Sequence, residues 1–482
     1  MALAGSPGRR ALLAGVILVV ALTATSAQAL ASKPFERGLM DPRFSSGDAA
    51  TRALWLGRAQ DAGAGTVRFL ANWRGISSDT PPANPTSPAD PSYDWDELDE
   101  VVRDASARGF KILLAINRAP DWAEGPNREA MWPAGTWKPD PAKLGQFATA
   151  VATRYSGSYV DSGAGGGALP RVRDWQVWAE PNLFIHLNPQ WEGGHTFSPP
   201  HYRRMLNTAY ASIKRVSGSN RVVAAATAPF GNEGKGVPRM PPLRFWRDLL
   251  CLKGKKLKRT KCPGGKARLD VAAHNPLSWA VGSGDSGPWT PARKIGGPDD
   301  LVVADMHKLV SLLRTARDRR TIKPRRRTPL WAPELLWETN PPSDPGLSEE
   351  TQARYLADAF YLLWRQGVSS VTWARLIDTR AGGGAITEGA GLYYIDEAAK
   401  LSLNAYRFPF VPVRKKGSTL VWGIAPQAGK VEVQSLVGGE WTTVKRLRTR
   451  TSRVFTGKLK RGAGNRFRAV IGGETSLERQ PQ

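Results

Sequence analysis

The feature that most constrains the fold of this chain is a long alternation of strand-like and helix-like segments. Eight short runs rich in β-branched and apolar residues are separated by helical stretches; they cover residues 37–40, 66–70, 111–116, 172–177, 222–226, 269–273, 330–332 and 371–374. Strands that alternate with helices indicate a parallel sheet with helical crossovers. Eight such units over roughly 370 residues predict an α/β fold, a (β/α)8 (TIM) barrel with long loops.

The helices between these strands carry N-terminal signals. Asp140 and Ser198 each stand directly before a proline, and Ser348 precedes a run with an apolar face. Capping oxygens satisfy the free amides of a first helical turn, and proline lacks the amide that would go unpaired there. We therefore expect helices that begin directly after each of these three residues.

After Phe410 the pattern changes to five short strand-like segments at close spacing. They cover residues 419–424, 430–436, 441–447, 453–459 and 465–471. This spacing predicts a small antiparallel β-sandwich. We expect a barrel domain over residues 32–410 and a basic β-sandwich domain over residues 411–482. The second domain would either brace the barrel or attach the protein to a wall polymer or glycan.

The chain is strongly basic, with 68 Lys and Arg against 42 Asp and Glu and a formal net charge of +26. Such an excess attracts anionic partners, among them nucleic acids, anionic cell walls and membrane surfaces. The sequence shows no helix-turn-helix, zinc-finger or basic-zipper pattern, so we do not expect nucleic-acid binding. An anionic cell-wall polymer, bound through the basic C-terminal domain, stays open as a partner.

The first 31 residues resemble an export signal. Arg9 and Arg10 precede an apolar run over residues 11–21 that is too short to span a bilayer, and small-residue cleavage sites end at Ala29 and Ala31. We expect a signal peptide over residues 1–31 and a secreted protein that can associate with the cell wall. No later segment has a long uncharged apolar run, so we expect no membrane span in the mature protein.

The two cysteines, Cys251 and Cys262, lie in one basic stretch. Outside the cytoplasm a pair of this kind usually forms a disulfide. Two cysteines without nearby histidines give little support to a metal site. We expect a disulfide that pins a surface loop, and no bound metal.

Two glutamates stand where a barrel places its reactive groups. Glu180 follows the fourth strand-like segment and Glu334 closes the seventh. In a (β/α)8 barrel the reactive groups lie at the C-terminal ends of the strands, and strands four and seven lie on opposite sides of the mouth. Two carboxylates that face each other in this way are what the cleavage of a glycosidic bond requires.

Several segments resemble glycoside hydrolase clan A, which includes families 5 and 39. Residues 178–182, Trp-Ala-Glu-Pro-Asn, are similar to the Trp-Asn-Glu-Pro-Asn signature of that clan. The segments that begin at Leu269, Glu334 and Trp373 resemble its sixth, seventh and eighth strands, and Arg68 matches an arginine that the clan keeps near its nucleophile. The resemblance extends in order over residues 37–407.

The resemblance implies a retaining glycosidase that hydrolyses a β-linked glycan by double displacement. Glu180 would be the acid/base and Glu334 the nucleophile, although Glu338 lies one turn away and could compete. Glu180 would then need a raised pKa, while Arg68 would keep Glu334 ionised. Two carboxylates suffice for this chemistry, so no cofactor is expected.

A further set of residues is expected to line the substrate site: Arg68, Trp122, Trp178, Asn182, His274 and Trp373. Each has a structural alternative. The tryptophans could belong to the core, the histidine could be a buried imidazole with its hydrogen bonds satisfied, and Asn182 could only pin the loop after strand four. Arg68 could equally hold a structural ion pair.

The chain departs from the clan pattern at three positions. Ala179 replaces the asparagine that in the clan bonds the sugar 2-hydroxyl, Leu277 replaces a tyrosine that bonds the nucleophile, and Pro333 stands where Ser or Thr is commoner. The alternative function is therefore a carbohydrate-binding or wall-associated protein that has lost turnover. A nucleic-acid-binding protein is a third hypothesis that rests on charge alone.

Overall fold

The computed structural model describes residues 35–161, 167–233, 238–278, 287–380, 387–450, 453–460 and 462–482. The signal peptide predicted over residues 1–31 lies outside this part of the chain. The described residues form two compact units. One comprises Glu36–Pro409, and the other comprises Phe410–Gln482 together with Phe35.

Eight parallel strands close into a barrel in the larger unit. They are β1 (Glu36–Leu39), β2 (Thr66–Asn72), β3 (Lys111–Asn117), β4 (Asp174–Val177), β5 (Arg221–Thr227), β6 (Val271–His274), β7 (Leu330–Leu335) and β8 (Val368–Trp373). Neighbouring strands follow one another in sequence, and β8 closes the barrel against β1 with Ser370 aligned to Glu36. All eight predicted strands are present, so the (β/α)8 fold is confirmed.

The barrel strands alternate with helices. These are α1 (Ala49–Asp61), α2 (Asp96–Ala107), α3 (Pro141–Arg154), α4 (Ser198–Val216), α5 (Pro242–Leu249), α6 (Met306–Asp318), α7 (Glu349–Gln366) and α8 (Leu401–Arg407). Asp140 caps α3 as expected, by accepting hydrogen bonds from the amides of Ala142 and Lys143 at 2.7 and 3.1 Å. The expected cap at Ser198 is wrong, because Ser198 is the first residue of α4 and its hydroxyl donates to Gln190 Oε1 instead.

An apolar cluster fills part of the barrel interior; its members are Leu113, Val223, Ala226, Val271, Ala273 and Trp331. Arg221 packs over the Trp331 ring at 4.9 Å and donates to Asp174 Oδ2 at 2.6 Å. Because Asp174 and Arg221 begin β4 and β5, this contact lies at the N-terminal end of the barrel. Glu180 and Glu334, after β4 and near the end of β7, lie at the opposite end.

The smaller unit consists of two antiparallel sheets. Its strands are β9 (Phe410–Lys415), β10 (Ser418–Ile424), β11 (Gly429–Val437), β12 (Glu440–Thr449), β13 (Val454–Lys460), β14 (Phe467–Ile471) and the two-residue Glu474–Thr475. One sheet has the order β9-β10-β13, and the other has β12-β11-β14 followed by the short strand. The sequence analysis missed β9, which contains Pro412; proline is tolerated there because β9 is an edge strand.

The predicted disulfide between Cys251 and Cys262 is present. It closes the loop after α5, in which Leu252–Lys253 and Lys258–Arg259 pair as a short hairpin. The loop is therefore held at its base by a covalent bond and by backbone hydrogen bonds. Within the described part of the chain, no helix combines the length and apolar character needed to cross a membrane.

A buried ion pair ties together the loops that follow β7 and β8. Lys400 Nζ lies 2.7 Å from Asp378 Oδ2 and donates to Thr339 Oγ1 at 2.7 Å and to the Gly389 carbonyl at 3.2 Å. The side chains of Lys400 and Asp378 are almost completely excluded from solvent. Because β7 carries Glu334, this pair fixes one wall of the barrel mouth.

We expect the substitution Lys400→Ala to lower the free energy of unfolding by about 3–5 kcal/mol, because it leaves the Asp378 carboxylate buried without a counter-charge. Thermal and urea unfolding of the variant measure this loss. The double variant Lys400→Met/Asp378→Leu removes both charges and should recover much of the stability. A loss below about 1 kcal/mol in the single variant would show that the pair contributes little.

Candidate active site

The chain turns sharply after β4, and this turn carries Glu180. Trp178 and Glu180 both adopt left-handed backbone conformations, with φ of 64° and 42°. Such conformations are costly for residues other than glycine and persist where the surroundings fix them. Here Asn182 fixes the turn: its side-chain amide donates to the carbonyls of Ala228 and Met240 and accepts from the Ala228 amide. The strained turn directs Glu180 into the mouth of the barrel.

Glu334 lies near the end of β7, where the pairing with β8 becomes irregular. The register between the two strands shifts between Ala332 and Leu335, and Pro333 lies within that interval. Proline cannot donate to the ladder, and an irregularity of this kind often redirects a side chain next to an active site. The unusual Pro333 of the sequence therefore coincides with the point at which β7 presents Glu334.

One side-chain amide bridges the two carboxylates. Asn275 Nδ2 donates to Glu180 Oε1 at 2.8 Å and to Glu334 Oε2 at 3.4 Å. Those two oxygens can be no further apart than the sum of these distances, about 6 Å. The side chains of Glu180 and Glu334 are 14% and 22% exposed. The pair is thus close, largely buried and still open to the solvent.

Arg68 supplies a positive charge to the pair. Its Nη1 lies 3.4 Å from Glu334 Oε2, and its Nε donates to Gln176 Oε1 at 3.2 Å. Gln176 in turn donates to the carbonyl of Trp178 at 2.9 Å. The arginine side chain is only 3% exposed. The cation that faces one carboxylate is therefore linked by hydrogen bonds to the turn that carries the other.

The two carboxyl groups differ in acidity. Burial, together with the negative charge of Glu180, raises the pKa of Glu334 to about 7 despite the nearby Arg68. Burial also acts to raise the pKa of Glu180, but His186, Asn275 and Arg68 outweigh it and lower that pKa below its usual value. His186 Nε2 lies 3.5 Å from Glu180 Oε2. Below about pH 7 the pair therefore holds one proton, and burial together with these neighbours favours Glu334 over Glu180 as its position in the free protein.

This proton position is the reverse of the one that the sequence analysis expected. From the sequence, a single cation, Arg68, is expected beside Glu334 and none beside Glu180. The structure adds His186, from the loop after β4, directly beside Glu180. Because the two carboxyls interact strongly, a modest change in their surroundings moves the proton from one to the other.

We expect Glu334→Gln to stabilise the protein increasingly as the pH rises. A glutamate in an unperturbed setting has a pKa of 4.5, whereas the pKa of Glu334 in the folded protein is about 7, so between these values only the folded state keeps the proton. The free energy of unfolding of the wild type therefore falls as pH rises through this window, by up to about 3 kcal/mol, and the amide variant escapes that loss.

Chemical unfolding of both proteins between about pH 4.5 and pH 8 measures the effect. Glu338→Gln, one turn further along, is the matched control and should leave the difference from wild type constant with pH. A stability difference for Glu334→Gln that does not change over this range would contradict the raised pKa of Glu334.

The sequence analysis missed two residues of this site, Asn275 and His186. Asn275 is buried at the end of β6, and within the described residues its Oδ1 has no hydrogen-bond partner. The rule that selected Glu180, a polar residue closing an apolar strand before a proline, could have found it. His186 lies in an irregular loop, where no pattern in the sequence marks it.

Four of the expected substrate-lining residues lie in the packed interior: Trp178, Asn182, His274 and Trp373. The indole nitrogens of Trp178 and Trp373 donate to backbone carbonyls at 2.8 Å. His274 bonds Thr227 Oγ1 and the Leu301 carbonyl, both at 2.8 Å, and burial lowers its pKa to about 4. These side chains support the loops of the mouth from below, but they do not reach the surface of the mouth.

Arg68 reaches the carboxylate pair, as described above, and Trp122 lies further out. Its indole nitrogen donates to the Ser78 carbonyl at 3.1 Å, and its ring meets the edge of Trp73 with centroids 5.7 Å apart. Trp122 is partly exposed. It connects the loops after β2 and β3 at the rim of the mouth.

Leu277 forms part of an apolar wall near the pair. It packs with Leu336, Ala374 and Ala390, and Met40 lies against this cluster. Met40 Sδ is also 3.1 Å from Arg68 Nη1. Near Glu334 the protein therefore has alkyl and thioether groups. The clan resemblance implies the hydroxyl of a tyrosine in this region instead.

A cleft of about 700 Å³ lies beside β2 and reaches Arg68, but neither Glu180 nor Glu334 is among the residues that line it. Met40 and Arg68 form its inner end, and Leu70, 48% exposed, and Asn72 continue it along β2. This volume is in the range of ordinary ligand sites.

Among the described residues, no group of three or more His, Cys, Asp or Glu side chains is arranged to hold a metal ion.

No protein-family model and no curated protein sequence matches this chain. Solved structures match its fold. A family 39 glycoside hydrolase from the gut symbiont Bacteroides cellulosilyticus WH2 matches with a TM-score of 0.56 and 14% identity, over 90% of this chain and 82% of that chain. A glucosidase from Croceicoccus marinus matches with a TM-score of 0.49 and 15% identity, over 89% of this chain and 94% of that chain. The first similarity shows that this chain shares its fold with a family 39 glycoside hydrolase.

Proposed function

We propose that this protein is a retaining glycoside hydrolase that cleaves a β-linked glycan, with Glu180 as acid/base and Glu334 as nucleophile. The observation that carries the proposal is the carboxylate pair that one amide of Asn275 bridges at the mouth of a barrel. Retaining enzymes hold their carboxyls about 5–5.5 Å apart, which the upper limit of about 6 Å permits. The fold shared with a family 39 glycoside hydrolase supports the same assignment.

In the first step the Glu334 carboxylate attacks the anomeric carbon while Glu180 gives its proton to the oxygen of the leaving group. The glycosidic bond breaks, and an ester forms between the sugar and Glu334. In the second step Glu180 takes a proton from a water molecule, whose oxygen attacks the same carbon. The ester breaks, the sugar leaves, and both carboxyls return to their starting states.

The first step needs one proton on the pair, and that proton must be on Glu180 when the bond breaks, whereas the second step needs Glu180 ionised so that it can accept a proton from water. In the free protein the proton of the pair favours Glu334, so substrate binding has to move the proton to Glu180. Arg68 is placed to assist, because it donates to Glu334 Oε2 and favours the ionised form of that carboxyl. At a pH high enough to remove the shared proton from the pair, no general acid remains to protonate the leaving group, and the rate of bond cleavage falls.

The direct test is the release of reducing sugar from a panel of polysaccharides and aryl β-glycosides. We expect release by the wild type and a fall of at least about a thousandfold in Glu334→Gln, because the nucleophile is lost. Glu180→Gln should lose about 10²–10⁴-fold on polysaccharides and less on aryl glycosides with good leaving groups, which need little protonation.

Glu338→Gln is the control and should keep wild-type activity. If the wild type releases no sugar from any substrate yet still binds glycans, the non-catalytic alternative holds. Two observations favour that alternative: Ala179 has no side-chain donor for a sugar hydroxyl, and Leu277 is committed to the apolar wall.

Asn275 should act as a positioning residue for the pair. We expect Asn275→Ala to lower kcat/KM about tenfold, because a hydrogen bond to a charged group contributes about 1.5–3 kcal/mol. The same substitution removes a donor that favours the ionised carboxylates, so the alkaline limb of the pH–rate profile, expected near pH 7 in the wild type, should move to higher pH.

Asn220→Ala is the matched control, since Asn220 is also a buried amide but directly precedes β5, at the opposite end of the barrel from the pair. It should lower the melting temperature and leave the alkaline limb in place. An unchanged limb in Asn275→Ala would rule out a role for Asn275 in setting the proton affinity of the pair.

We further propose that the protein is secreted, on the strength of the export signal in its first 31 residues. Attachment to an anionic wall polymer through the basic C-terminal unit is part of the same proposal. That unit has fifteen Lys and Arg against four Glu over residues 410–482.

A further inference from the structure

A second concentration of positive charge lies on the barrel itself. It comprises two segments, residues 251–268 between α5 and β6 and residues 314–327 between the end of α6 and β7. Loops that lead from a helix into the next strand lie at the N-terminal end of a barrel, opposite the loops that form the mouth. We call these two segments the basal face.

The basal face holds more than half of the net charge of the chain. Its two segments contain sixteen Lys and Arg and a single acidic residue, Asp318, in a chain of net charge +26. Thirteen of the sixteen are exposed. Within the described residues, two of the sixteen form ion pairs: Arg317 with Asp318, and Arg326 with Asp270. Most of the positive charges of the basal face are therefore available to bind an anionic partner.

The two segments form one continuous surface. Residues Ala267–Arg268 pair in parallel with Ile322–Lys323. Arg319 Nη2 donates to the carbonyl of Lys256 at 3.0 Å, across from one segment to the other. The disulfide closes the first segment at its base. Because these constraints already order the lysine-rich loop, less conformational entropy is lost when it binds a ligand.

A small pocket in this face has the chemistry of an oxyanion site. It has a volume of about 130 Å³, and the side chains that line it include Val310, Leu313 and Leu330 as well as four arginines. Arg314 and Arg327 are joined there by Arg317 and Arg326, which also form the ion pairs named above. The planar fork of arginine matches the paired oxygens of phosphate, and several forks around one small pocket suit a tetrahedral anion better than a planar carboxylate. The lysines of residues 253–261 extend the positive surface beyond the pocket.

The composition of the face argues against nucleic acid. Neither segment contains Phe, Tyr or Trp. Proteins that hold single-stranded nucleic acid combine positive charge with aromatic side chains on which bases stack. A face with dense charge, an arginine pocket and no aromatic residue suits a flexible phosphate polymer without bases.

We propose that the basal face binds a linear phosphodiester polymer that has no bases, such as a poly(alditol phosphate), and that successive phosphates contact the arginine pocket and the disulfide-closed lysine loop. Binding there leaves the mouth of the barrel open, because the two sites lie at opposite ends of the strands. This inference does not depend on hydrolysis, and binding can be measured whether or not the protein turns over a glycan.

The test uses the full chain without residues 1–31 and measures its affinity for poly(glycerol phosphate) of defined length by titration calorimetry. We expect binding that weakens steeply between about 50 and 200 mM salt, by a factor of ten or more, as counterion release requires. Two triple variants, Lys255→Gln/Lys256→Gln/Lys258→Gln and Arg314→Gln/Arg325→Gln/Arg327→Gln, should each lower the affinity by about tenfold or more.

The matched control is Arg293→Gln/Lys294→Gln/Arg354→Gln, which makes the same change of charge at exposed positions of the barrel outside the basal face. It should stay within about twofold of the wild type. An equal loss in the control, or no binding by the wild type, would overturn the proposal. Tighter binding of single-stranded DNA, or equal binding of polygalacturonate, at matched charge would overturn the assignment to a base-free phosphate polymer. Melting temperatures of all three variants confirm that they are folded.

Discussion

The repulsion between two buried carboxylates, Glu180 and Glu334, determines the arrangement of the barrel mouth. Two carboxyl groups with oxygens within about 6 Å, in a partly desolvated space, cannot both ionise without a cost in free energy. The structure offsets the repulsion with a bridging amide from Asn275, a guanidinium from Arg68 and an imidazole from His186. These three side chains come from the end of β6, from β2 and from the loop after β4. The closed barrel is the part of the fold that brings them together.

Holding this pair requires local strain, which the surrounding packing supports. Glu180 follows β4 in a left-handed conformation, and Glu334 stands at a register shift beside Pro333. Trp178, which was expected to line the substrate site, is instead buried and braces the turn after β4 by donating to the carbonyl of His186. A site with two close carboxylates and strained turns is expected to lower stability in exchange for function.

The sequence predicted the barrel strands and the placement of both glutamates at strand ends, because hydrophobic periodicity and strand–loop boundaries are local properties. It could not predict the partners of those glutamates. Asn275 contacts Glu180 across 95 residues of sequence, and Arg68 contacts Glu334 across 266. Burial of the tryptophans was also beyond the sequence, since a tryptophan whose indole nitrogen finds a carbonyl can be core or surface. The basal face was missed because its two basic segments become one surface only through the pairing of residues 267–268 with 322–323.

The central claim is that Glu334 attacks the sugar with Glu180 as its partner. The most direct test is to incubate the protein with a panel of activated 2-deoxy-2-fluoro-β-glycosides, which slow the second step, and to locate any adduct by mass spectrometry of the intact and digested protein. The account predicts one sugar bound per chain, on the peptide that contains Glu334, and its absence in Glu334→Gln. Turnover of natural glycans without an adduct and with inversion at the anomeric carbon, or an adduct on Glu338, would contradict it.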